Sequence, residues 1–96
     1  MSASLSTHVL DTAAGSPVAG VPVELLRAGE EIARAHTDAD GRARLADGLE
    51  AGAYRLVFHP LSAFFRRVEL EIELEDGHYH VPLVVSPYSC VTYRGS

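Results

Sequence analysis

Lysine is absent. All eight basic residues of this 96-residue chain are arginine, so chemistry that needs a lysine Schiff base is excluded. Cysteine is scarce too: Cys90 stands alone, and no intrachain disulfide is possible. No apolar run approaches the length of a bilayer span, so no membrane segment is expected. Residues 1–8 hold neither a basic segment nor an apolar run, and no secretory leader is expected. The final residues are not a peroxisomal address either. With a net charge of −5, the chain lacks the basic surface that a nucleic-acid backbone demands. The default expectation is a soluble protein in a reducing bacterial cytoplasm, with no nucleic-acid or membrane partner.

What is present points to an all-β protein. A hydrophobic fraction of 47% is that of a globular chain rather than a disordered one. The length suits a single domain over residues 1–96. The core of such a chain is modest, so oligomerisation is a natural source of further stability. Leu5 to Asp11 reads as a strand in which Thr7 and Val9 face inward and His8 and Leu10 outward. Turn residues at Ala13 to Pro17 lead to a second strand, Val21 to Arg27, and Ala28-Gly-Glu30 turns the chain into a third, Glu31 to Thr37. After the turn Asp38-Ala-Asp-Gly41, Arg42 to Ala46 forms a short fourth strand. Turns at Asp47-Gly48 and Ala51-Gly52 precede a fifth, Ala53 to His59, with Tyr54, Leu56 and Phe58 on one face.

Val68 to Glu75 alternates most clearly. Val68, Leu70, Ile72 and Leu74 point inward and four glutamates point to water, with Arg55 a candidate to offset their repulsion from the neighbouring strand. His78 onward reads as two strands around a Ser86-Pro87 turn. Here His78, His80, Pro82 and Val84 share one face, and Leu83 and Val85 the other. The sum is about eight short strands separated by turns, the pattern of a two-sheet β-sandwich. One helical turn has room between Pro60 and Phe65.

The run His78-Tyr-His-Val-Pro-Leu83, the Ser86-Pro-Tyr88 turn and the closing Tyr93-Arg-Gly-Ser96 resemble the 5-hydroxyisourate hydrolases, the enzyme branch of the transthyretin family. Leu5-Ser-Thr-His-Val-Leu-Asp11 and Thr37-Asp-Ala-Asp-Gly-Arg42 carry the same resemblance. It implies a transthyretin-like sandwich and a homotetramer, a dimer of dimers with a channel between facing sheets. It further implies opening of the 5-hydroxyisourate ring to 2-oxo-4-hydroxy-4-carboxy-5-ureidoimidazoline in urate degradation, without metal or other cofactor. Aligned on the family's pattern, His8, Arg42 and His80 are the catalytic set, and Tyr93, Arg94 and Ser96 contact substrate. Two departures stand out. The family's short helix after the fifth strand is reduced or absent here, because His59 to Arg66 leads almost directly into the sixth. Val91 stands where a serine is usual.

The groups suit the implied chemistry. A histidine titrates at about 6.5 and can take a proton from water near neutrality, which leaves His8 and His80 both eligible as the base. The planar, permanently charged fork of Arg42 suits a developing oxyanion, with Arg44 its rival on the same strand face. Arg94 could serve likewise or support the tail. Tyr93 could donate to the substrate or stack on it, and Ser96 could offer its hydroxyl or carboxylate.

Simpler roles compete at several positions. His36 and His59 read as structural, His78 as a supporting or merely exposed group, and Cys90 as a small buried hydrophobe. His8, His78 and His80 lack the completing ligand of a zinc motif. Thr37 to Gly41 lacks the later glutamate of a calcium loop and reads as a hairpin turn. Residues 18–58 taken alone also resemble carboxypeptidase regulatory-like and Cna B-type modules. A carrier would bind ligand without turnover; an adhesive module would be monomeric and indifferent to its histidines.

Overall fold

Alternating inward and outward side chains produce nine strands in the computed structural model, which describes residues 2–95. They are β1 (Ala3–Asp11), β2 (Ser16–Pro17), β3 (Pro22–Arg27), β4 (Glu30–His36), β5 (Arg42–Leu49), β6 (Gly52–Phe58), β7 (Val68–Leu74), β8 (Gly77–Ser86) and β9 (Ser89–Thr92). The strand beyond the expected eight is the two-residue β2, too short for side-chain alternation to reveal. Among the described residues there is no helix, and hence none long and apolar enough to cross a membrane.

Two sheets form. In one, β1 is flanked by parallel β8, which in turn pairs with β9. Its other flank carries β5 along Ala3 to His8 and β2 at Leu10 and Asp11. The second sheet runs β4-β3-β6-β7, antiparallel throughout. Leu5 and Val9 of β1 and Val81, Leu83 and Val85 of β8 pack in one core with Val23, Leu25, Leu56, Phe58 and Leu74 of the second sheet. Thr7 is also fully buried. Its hydroxyl is satisfied by donating to the carbonyl of Val81 at 2.6 Å, which removes most of the cost of placing it there.

Three connections differ from the pattern read in the sequence. Asp47 and Gly48 do not end β5. They enter it as an irregularity opposite Ala3 to Leu5, with Gly48 at φ +65°, and the strand continues to Leu49. The Asp38 to Gly41 turn is not a hairpin turn, because β4 and β5 belong to different sheets and the turn carries the chain across the sandwich. The Phe58 to Val68 link contains a bend instead of the helical turn with room there. In it the Ser62 hydroxyl oxygen accepts the backbone N–H groups of Phe64 and Phe65, each at 3.1 Å. The glutamate row of β7 is water-facing as expected. Arg55 lies opposite Glu71 and pairs with it at 3.3 Å, an exposed contact worth under about 1 kcal/mol.

Candidate active site

The outward face of the first sheet is laid out by register. Because β1 buries Ala3, Leu5, Thr7 and Val9, it turns Ser4, Ser6 and His8 outward. Arg42 on β5 lies opposite His8, and Pro82 on β8 flanks His8 on the other side. In the adjacent row, Arg44, Ser6 and His80 are aligned in the same way, and the tail adds Gly95 beyond His80. Ser4 and His78 form a third row. Val91 of β9, opposite the outward Val84, leaves on this same side and is 56% exposed, and Tyr93, just beyond the end of β9, is 55% exposed.

The turn before β5 sets Arg42 in place. One carboxylate oxygen of Asp38 accepts the N–H groups of Asp40 and Arg42 at 2.9 and 3.0 Å. Gly41, at φ +73°, brings its carbonyl to 2.7 Å from the N–H of Val9. A side chain at Gly41 would lie 2.5 Å from the carbonyl oxygen of Val9, so only glycine lets the turn sit this close to β1. The same turn engages His8, whose Nε2 donates to the carbonyl of Asp40 at 2.9 Å. A carbonyl only accepts, so Nε2 carries the proton and Nδ1 is left for a further partner.

His80 is more enclosed. Its Nδ1 lies 2.9 Å from the Ser6 hydroxyl, and its carbonyl accepts the N–H of Gly95 at 2.6 Å. Burial, then repulsion from His8, Arg42 and His78, holds its ring below the ordinary imidazole value of 6.5. The ring therefore stays neutral at neutral pH, the form that can accept a proton. An open depression of about 460 Å³ lies here, lined by Ser6, Asp38, Arg42, Arg44, His78 and His80.

The two arginines of β5 divide. Arg44 is held by the Asp47 carboxylate, whereas the Arg42 guanidinium has no carboxylate partner among the described residues. Arg94 is not brought to this face. Its guanidinium stacks over the Tyr79 ring, 4.3 Å from the centroid, and lines a separate hollow with Ile72 and Leu74. Ser96 lies outside the described residues. Cys90 packs against the core, where burial raises its thiol pKa and so disfavours the reactive thiolate. His59 pairs with Glu24 on the second sheet, and that contact, foremost among several, holds the glutamate below the usual carboxylate range. Among the described residues, no three His, Cys, Asp or Glu side chains converge closely enough to hold a metal ion.

Sequence reasoning missed Ser4, Ser6 and the Asp40 carbonyl. The alternation of β1 does mark both serines as outward-facing; what it does not contain is their alignment with the histidines of β8.

The family model for the HIUase/Transthyretin family matches residues 5–95. The chain belongs to that family. Within the family, it is 46% identical to the 5-hydroxyisourate hydrolase of Caulobacter vibrioides, over 96% of this chain and 97% of that protein. It is 42% identical to the 5-hydroxyisourate hydrolase of Deinococcus radiodurans, over 96% and 95%. Its fold superposes on the Klebsiella pneumoniae 5-hydroxyisourate hydrolase with a TM-score of 0.88, at 36% identity and covering 98% and 99% of the two chains. Membership across nearly the whole length sets aside the generic sandwich modules that the middle of the chain resembles.

Proposed function

We infer that this HIUase/Transthyretin-family chain is a 5-hydroxyisourate hydrolase that opens the ring to 2-oxo-4-hydroxy-4-carboxy-5-ureidoimidazoline. The observation that carries this is the outward face on which a neutral His80 lies one row from His8 and Arg42, the arginine having no carboxylate partner among the described residues, in a chain so similar to named hydrolases. Nε2 of His80 takes a proton from water as the water oxygen adds to a ring carbonyl carbon. Arg42 meets the charge that develops on the carbonyl oxygen. His8, with Nε2 tied to Asp40, offers Nδ1 to orient the same water. When the ring C–N bond breaks, His80 returns the proton to the leaving nitrogen, so the base is regenerated. Tyr93, exposed just beyond β9, supplies a flat surface for the heterocycle.

We extend the reading to the assembly. The chain is one domain and forms a homotetramer in which outward faces of this sheet oppose one another across a channel. Exposed Val91 and Tyr93 support this, as an apolar and aromatic rim that a second copy would cover. It acts in the bacterial cytoplasm, on a small molecule and with no cofactor.

The test mixes freshly made urate oxidase product with the protein and follows the loss of its ultraviolet absorbance. Acceleration by the wild type, abolished in His8→Ala and His80→Ala with assembly intact, is expected. Saturable binding without turnover would make the chain a carrier, and wild-type rates in both variants would displace the site.

A further inference from the structure

A continuous line of polar side chains runs along the outward face behind His80. The Ser6 hydroxyl oxygen lies 2.9 Å from Nδ1 of His80 and 3.0 Å from Nε2 of His78. Nδ1 of His78 lies 2.6 Å from the Ser4 hydroxyl. A hydroxyl has one proton to give. Ser6 can therefore donate to only one of the two rings and must accept from the other, so the line has a direction. In one direction His80 donates from Nδ1 to Ser6, Ser6 donates to His78, and His78 donates to Ser4. In the other every bond reverses, and His80 carries its proton on Nε2.

The surroundings of His80 choose between them. Nδ1 faces Ser6, and Cδ2 faces Gly95, where an added methyl would come within 3.0 Å. The far edge of the ring, with Nε2, is consequently directed away from the sheet, into the depression that Arg42 also lines. A lone pair there is attracted to the fixed positive charge of Arg42, whereas an N–H would oppose the guanidinium donors. The first direction wins.

We propose that Ser6, backed by His78 and Ser4, is a positioning residue that holds His80 in the tautomer protonated at Nδ1 and so delivers Nε2 to the depression as the proton acceptor. The role in turnover rests on the hydrolase reading, but the tautomer itself does not. This gives His78 a place as the acceptor that orients the Ser6 hydroxyl. Three polar groups thus serve one nitrogen.

The test has one arm without substrate and one with it. Nitrogen-15 spectra of histidine-labelled protein report which ring nitrogen carries the proton. Wild-type His80 is expected to be protonated at Nδ1 and to shift toward Nε2 in Ser6→Ala. In turnover, Ser6→Ala should lower kcat by about tenfold or more while KM changes less, short of the roughly 10²–10⁴ that loss of a general base costs. Ser6→Thr, which keeps the hydroxyl, should restore both readouts. His78→Ala should reproduce part of both effects, and no change in either would remove His78 from the line. Wild-type His80 protonated at Nε2, or a Ser6→Ala protein with unaltered tautomer or unaltered kcat, would overturn the proposal. The expected tautomers in a wild type without hydrolase activity would instead overturn the function and leave the tautomer assignment standing.

Discussion

The imidazole of His8 is hydrogen-bonded to the backbone of Asp40, 2.9 Å from Nε2 to the carbonyl oxygen. The histidine of the first strand and the turn that launches Arg42 are therefore one mechanical unit, and a disturbance of either displaces both. Gly41 is the hinge of that unit.

Gly41→Ala places a methyl against the Val9 carbonyl, 2.5 Å away, at a φ of +73° that alanine resists. Backbone strain and steric conflict together should cost about 2–4 kcal/mol of stability. Urea denaturation would measure it as a lower midpoint at unchanged slope. An unchanged midpoint would mean that the turn does not approach β1 as closely as described.

Arg42 and Arg44 should behave differently although they share a strand face. Arg42→Ala removes the guanidinium that has no carboxylate partner among the described residues, and should lower kcat by about 10²–10³, the usual loss for one oxyanion donor. Arg44 is already engaged by Asp47, and Arg44→Ala should change the rate by less than about threefold, since exposed pairs contribute little. Steady-state kinetics of the two variants decides, and a reversed order would exchange their roles.

Gly95→Ala brings a methyl to 3.0 Å from Cδ2 of His80 and 3.2 Å from its carbonyl oxygen. Either the ring or the tail must yield by a few tenths of an ångström. The tail contributes little to the core, so thermal stability should hold while kcat falls by about tenfold, as misplacement of a reacting group costs rate steeply. Equal rates in the variant and the wild type would show that the tail does not seat the ring.

The acid limb of kcat/KM should lie below pH 6.5, because burial and then the charges of His8, Arg42 and His78 hold His80 below that ordinary value. Stability follows the same sign. As pH falls through 6.5 the unfolded chain binds a proton at this histidine before the native protein does, so this site weakens the fold from there down to the native pKa. A pH series of initial rates and of melting curves reads both, and an acid limb above pH 6.5 would contradict the enclosure of His80.

Much of the molecule can be read along the chain. The four glutamates of β7 alternate with core residues, and Arg55 meets Glu71 across the strand as their spacing suggests. The alternation in β1 and β8 separates Thr7, Val9, Leu83 and Val85 from the outward His8, His78 and His80. Less legible are the details in which glycine and loop geometry outweigh pattern. Gly48 looks like a turn residue but is absorbed into β5, and Arg94 stands next to Tyr93 yet stacks on Tyr79.

By itself the sequence determined which side chains face water and which face the core, because that choice follows the two-residue period of each strand and needs no knowledge of neighbours. Only the tertiary structure decided which outward groups meet. Ser6 stands beside His80 across 74 positions of chain, and among the described residues Asp47 occupies Arg44 while no carboxylate occupies Arg42. Register between distant strands is set by how the two sheets pack, and no local pattern contains it.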